Sequence, residues 1–281
     1  MLILDFGFWI LDFTSKAGRF LARQGVDSTA ESGRKERRVA AMREMFCPWG
    51  VVDVAVALAA FLATTVTVAL VLSPWMPREG SPRLWFGPTV TSVGGAAAAG
   101  VILILLRRRY GLWPRDVGLK LWPRPMDLAI AIALMAAVVA VWMPMGSFFD
   151  WLRERANAPK ELQKVVQQVR TAQESQDLLS LIVMAGSALF VAPFWEELAF
   201  RGFLQPWLRG LLGPAGGIVV TTVLFSAIHE PLSRFARVPV MMFPLALALS
   251  YARERTGRLT PCILLHVLNN ALTVAVVLAG T

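Results

Sequence analysis

Apolar residues along this chain fall in long runs rather than in the alternating or three-four spacing of a soluble fold. The runs lie at about 51–73, 88–106, 127–149, 181–205, 214–230, 238–252 and 259–280. Several approach the roughly 20 residues a helix needs to cross the hydrocarbon core of a bilayer. Backbone polar groups left unpaired in lipid are too costly to tolerate, so runs of this length are read as helices. The expected fold is all-α, a polytopic transmembrane helix bundle of about seven spans. The sixth run is short for a full crossing.

The polar stretches divide the chain. Residues 1–13 (MLILDFGFWILDF) are apolar but short, broken by Asp5 and Asp12, and lack a basic leader. They fit an interfacial helix better than a signal peptide or a span. A charged, Gly- and Ser-bearing arm follows, so 1–50 is expected to hold an interfacial helix and a cytoplasmic arm. Three spans occupy 51–149, and an amphipathic extramembrane segment occupies 150–180. Residues 181–281 form the expected catalytic core. Trp113 and Trp122 stand among basic residues between the second and third runs, as at a headgroup interface.

Composition agrees with the pattern: 56% of the 281 residues are hydrophobic, and mean hydropathy is +0.56. The net charge of +9 does not point to nucleic acid, because the basic residues sit in short loops between apolar runs. With the N-terminus inside, inner segments hold 18 Lys and Arg against 9 in outer ones. This bias places the N-terminus in the cytoplasm, and the expected location is the cytoplasmic membrane of a prokaryote. Cys47 and Cys262 build neither a disulfide framework nor a zinc-ligand spacing.

Against this background VAPFWEELAFRGFLQ, residues 191–205, stands out. An ionisable side chain near the middle of a spanning helix costs roughly 2.5–3.5 kcal/mol on insertion scales. Glu197 and Arg201 are four apart and can neutralise each other. Glu196 points about 100° away and keeps no such partner. The only two histidines, His229 and His266, also lie in apolar runs. The fourth and fifth runs should form an antiparallel hairpin turning at Leu212, Gly213 and Pro214. Glu196 and His229 then stand at matching depth, each roughly 25 Å from the turn.

On the seventh run His266 and Asn270 are one turn apart and can face one cavity, with Asn269 turned elsewhere to pack or bond between helices. Phe225 shares a face with His229, and core packing is its expected job. Arg201, Gln205 and Arg209 repeat every four residues as a polar stripe, which lets the hairpin project a few turns out of the bilayer around a wet pocket below the inner surface. The stripe is also compatible with snorkelling at an interface, and Pro206 should kink the helix.

A carboxylate facing a histidine can deprotonate a water, and a second donor pair, His266 with Asn270, can stabilise an oxyanion. That describes hydrolysis of an acyl bond, most naturally a peptide, without a covalent intermediate. There is no GxSxG, and His229-Glu230 is followed by Pro231 rather than completing HExxH. No cofactor is expected; zinc held by Glu196, His229 and His266 is the alternative, weakly supported by spacing.

EELAFR at 196–201, FSAIH at 225–229 and HVLNN at 266–270 resemble the EExxxR, FxxxH and HxxxN motifs of the CPBP family of intramembrane proteases. That family comprises CAAX prenyl proteases and bacteriocin-processing or self-immunity relatives. The resemblance covers about 180–281. It implies that Glu196 and His229 activate water, that His266 and Asn270 form the oxyanion site, and that Glu197 and Arg201 support them. It also implies a peptide or protein substrate in or at the bilayer, lipidated or membrane-anchored in some members, with no nucleic-acid partner. Two rival readings are a non-catalytic scaffold or immunity protein on the same fold, and a proton-coupled transporter. The paired repeats of a transporter are not visible.

Overall fold

Helix-forming apolar segments separated by Gly, Pro and arginine-rich breaks produce nine helices among the residues that the computed structural model describes, which are 47–75, 84–120, 122–157, 164–229 and 237–279. They are α1 (Val51–Leu72), α2 (Phe86–Tyr110), α3 (Pro125–Arg155), α4 (Lys164–Glu174), α5 (Leu178–Gly186), α6 (Ala192–Glu197), α7 (Gln205–His229), α8 (Arg237–Thr256) and α9 (Thr260–Leu278). No strand occurs among the described residues. The expected interfacial helix and most of the expected arm lie outside them.

Five stretches are long and apolar enough to cross a membrane: α1, α2, α3, the continuous run Leu178–His229, and α9. The run Leu178–His229 is 52 residues long, far more than one crossing needs. Gly213 divides it. Its φ of 74° and ψ of 175° lie outside the helical region, and Pro214 cannot continue the preceding helix. Beyond the turn Gly217 lies so close to Arg209 that a Cβ there would sit 3.0 Å from the Arg209 backbone. The run is therefore an antiparallel hairpin, as its sequence predicts.

α8 follows the short sixth run. It is helical over 20 residues but falls outside the apolar set, because it carries Arg237, Arg253, Glu254 and Arg255. α3 runs on to Arg155, past the expected end of its span at 149. The amphipathic character of 150–180 is concentrated in α4, whose Val169 and Ala172 pack with Met184 of α5 and Val277 of α9.

Two cores hold the bundle. In one, Ile102 and Leu106 of α2 meet Trp195 of α6 and Leu198 and Phe203 just beyond it, with Trp49 ahead of α1. Close approach there requires glycine at position 95, where a Cβ would collide with the Trp195 indole. In the other core, Ala131 and Val138 of α3 meet Phe225 of α7, Leu245 and Leu249 of α8, and Leu265 of α9.

Charged ties join the start of α3 to the residues just before α9, and the start of α1 to the end of α2. Arg258 grips Asp127 with Nε at 2.9 Å and a terminal nitrogen at 2.7 Å. Asp53 accepts from Arg109 at 2.8 Å and from the Tyr110 hydroxyl at 2.6 Å. The Arg258 and Asp127 side chains are 8% and 3% exposed, so neither charge has water as a substitute partner. Removing one member of such a pair typically costs about 3–5 kcal/mol. Asp127→Ala should lower the thermal unfolding midpoint in detergent well below that of an exposed control such as Glu154→Ala.

Candidate active site

Arg201 and Gln205 of the polar stripe on the first limb of the hairpin are buried against α8, and only Arg209 at its end remains partly exposed. Arg201 donates to the Ala246 carbonyl at 3.2 Å, Gln205 to the Ser250 carbonyl at 3.0 Å, and Arg209 to Glu254 at 2.9 Å. The offset of 45 residues is the same at each rung, so α8 runs parallel to this limb in helical register. A four-residue repeat satisfies a neighbouring helix as well as it satisfies a water surface. Here the carbonyls of α8 won, leaving Arg201 and Gln205 0% and 1% exposed.

Two π-helical turns, Ser187–Val191 and Leu198–Leu204, flank α6. Each is followed by a proline, Pro193 and Pro206. Proline clashes with the carbonyl four residues back and has no N–H to give, which favours a widened turn before it. In π register the carbonyl left without its donor is the one five residues back. Those carbonyls are Ala188 and Arg201, and each accepts a side chain instead. Asn270 donates to Ala188 at 2.7 Å and Arg253 donates to Arg201 at 2.9 Å. The expected kink at Pro206 thus takes the form of a widened turn. A third contact fixes the second turn: the Trp49 indole donates to the Phe203 carbonyl at 2.9 Å.

Held in this way, α6 presents its two carboxylates to opposite tasks. Glu197 Oε1 accepts from Arg201 at 3.2 Å and from Nδ1 of His266 at 2.8 Å. Both carboxylate and guanidinium are fully buried. Glu196 Oε2 is buried with no hydrogen-bond partner. It faces Nε2 of His229 at 3.6 Å and Nε2 of His266 at 3.9 Å. The sequence-derived register holds: Glu196 and His229 meet across the hairpin, and His266 joins them from α9.

The tautomers follow from the partners. His229 Nδ1 lies 2.7 Å from the Phe225 carbonyl, and a carbonyl only accepts, so Nδ1 carries the proton. His266 Nδ1 donates to the ionised Glu197 for the same reason. Both Nε2 atoms are thereby turned toward the one unpartnered carboxylate oxygen.

Phe225 does more than fill space. Its ring centroid lies 4.3 Å from that of His229 and 6.0 Å from that of His266, and the Arg201 guanidinium stacks 4.1 Å above it. It is the fully buried floor against which both imidazoles and the arginine rest. Asn269, expected to turn elsewhere, instead donates to Asn270 Oδ1 at 2.8 Å. With its oxygen held by Asn269 and one N–H on Ala188, the Asn270 amide is fixed in orientation. The sequence signal for both prolines and for Asn269 was present, but it becomes legible only once the π register is known.

Neither thiol joins the site. Cys262 is fully buried against the Leu249 and Arg258 carbonyls, and burial pushes the Cys47 thiol up to about 12. Among the described residues, no group of three or more His, Cys, Asp or Glu side chains is placed to hold a metal ion.

The family model for the type II CAAX prenyl endopeptidase Rce1-like proteins matches residues 178–272. That stretch holds the hairpin, α8 and most of α9, with Glu196, Glu197, Arg201, Phe225, His229, His266 and Asn270 all inside it. Over this segment the chain is similar to the CPBP family of intramembrane proteases. No curated protein and no solved structure matches the chain. That similarity and the five long apolar helices support an integral-membrane, CAAX-type endopeptidase acting on a peptide or protein.

Glu197 balances Arg201 and holds His266 at once, so its loss is felt first in folding. Glu197→Gln should destabilise the protein by about 3–5 kcal/mol, because it leaves the buried Arg201 charge unpaired. Thermal unfolding in detergent reads this directly, and an unchanged midpoint would contradict it.

Proposed function

We propose that this protein cleaves a peptide bond with a water activated by Glu196 and His229. The observation that carries this reading is the orientation of both imidazole Nε2 atoms toward Glu196 Oε2, which has no other partner. A water beside that oxygen can reach it and an Nε2 at about 2.8 Å each, given their separation of 3.6 Å. The carboxylate takes the proton as the water oxygen attacks the carbonyl carbon, and His229 orients the water and shares the charge.

His266 and Asn270 are the proposed oxyanion donors, His266 donating from Nε2 when doubly protonated, since its Nδ1–H is given to Glu197. The Asn270 amide has two N–H bonds, and the one not given to Ala188 is available to a substrate oxygen. Removal of such a donor typically costs about 10²–10³-fold in turnover. Collapse of the tetrahedral adduct then needs a proton on the leaving nitrogen, and protonated Glu196 is the nearest source.

The substrate reaches a recessed site: the His266, Glu196 and His229 side chains are 5%, 13% and 27% exposed. Substrates anchored in or at the bilayer, lipidated ones included, suit such a recessed position. The arginines around the hairpin tip favour a cytoplasmic position for that end, by the positive-inside rule.

Glu196→Ala and His229→Ala should each abolish cleavage while the protein still inserts and keeps its detergent unfolding midpoint near wild type. Comparison of membrane peptides from cells carrying wild-type protein and Glu196→Ala would reveal the substrate, and normal processing by the variant would overturn the mechanism. Activity should also survive dialysis against a chelator. Stoichiometric zinc, with activity lost on chelation and restored by zinc, would instead make Glu196, His229 and His266 metal ligands.

A further inference from the structure

We infer that the seam between the hairpin and α8 is a water-binding channel that supplies the hydrolytic water from the hairpin-tip end, separately from the substrate's entrance. The inference rests on the proposed hydrolytic role of Glu196. Every turnover of a hydrolase consumes one water, and a substrate lying over a recessed carboxylate closes the mouth it entered by. A second route resolves that conflict.

The seam has the chemistry for one. Among the described residues nine buried side-chain polar atoms have no hydrogen-bond partner, and five of them lie along the two limbs of the hairpin. They are Glu196 Oε2, Glu197 Oε2, Arg201 Nε, Gln205 Oε1 and Thr221 Oγ1. Buried polar atoms in native proteins are nearly always paired, with ordered water where the protein offers nothing. Carboxylate and amide oxygens accept, the Arg201 nitrogen donates, and the hydroxyl does both. That mixture suits a file of waters handing hydrogen bonds along.

Continuity follows from the ladder. Glu197 bonds Arg201, Gln205 lies one turn further, and Gln205 and Thr222 both bond Ser250, at its carbonyl and hydroxyl. Thr221 faces the same level because the hairpin that pairs position 196 with 229 pairs 204 with 221. One turn beyond Gln205 the stripe ends in the Arg209 and Glu254 pair, 34% and 19% exposed, where water is at hand.

Thr221→Val separates this from a packing role. It removes a hydroxyl with no protein partner while keeping the shape, so a dry seam should be unaffected or slightly stabilised. A water-bearing seam should lose turnover, by roughly tenfold in kcat with KM unchanged and the unfolding midpoint at or above wild type. Gln205→Leu should lower kcat further, and Thr221→Val alone carries the test if that variant does not fold.

Hydroxyl-radical footprinting after rapid mixing with oxygen-18 water gives a readout independent of catalysis. Phe225, fully buried between seam and site, should take up label in wild-type protein and several-fold less in Thr221→Val. An unlabelled Phe225 in wild type, or equal labelling in both proteins, would overturn the channel. Loss of cleavage in Glu196→Ala would still stand in that case, so the two readings fail separately.

Discussion

The fully buried charge pair of Glu197 and Arg201 is the constraint around which the membrane core is arranged. Neither ion is stable in hydrocarbon alone, and their mutual attraction offsets desolvation only when the remaining donors and acceptors are also met. Three elements meet those needs. His266 of α9 donates to the carboxylate, the Ala246 carbonyl of α8 accepts from the guanidinium, and Phe225 of α7 lies flat beneath it. Because each helix must approach to a hydrogen-bond distance, the pair sets where the imidazoles stand. Glu196, one residue earlier and outside this network, inherits a fixed position without a partner.

Proline contributes through what it cannot donate. Pro193 and Pro206 each withhold an N–H, and the freed carbonyls of Ala188 and Arg201 become docking points for Asn270 and Arg253. Widened turns on both sides of α6 are anchored by side chains from other helices, so the segment bearing the carboxylates is held at both ends. Widened turns of this kind recur at functional sites in helical proteins. Here the reason is visible: they convert main-chain acceptors into contacts between distant parts of the chain.

Much of this was legible in the sequence where spacing alone decides geometry. The turn at Gly213 and the equal distances of Glu196 and His229 from it fixed their meeting, and the four-residue gap fixed the Glu197 and Arg201 pair. The stripe of Arg201, Gln205 and Arg209 left its partner open, because period four marks a face without naming its neighbour. Only the constant offset to Ala246, Ser250 and Glu254 identifies α8 as that neighbour. Asn269 was misplaced for a related reason. Its Cβ direction points away from Asn270, but a flexible amide can reach the adjacent side chain.

The ladder also bears on how the chain enters the bilayer. α8 carries Arg237 at one end and Arg253, Glu254 and Arg255 at the other, and it is too polar to partition into lipid unaided. Its hydrogen-bonding partners precede it in the chain, on the first limb of the hairpin. The consequence is one of order: the limb that supplies those partners is made before α8, so its side chains already stand ready when the more polar helix emerges.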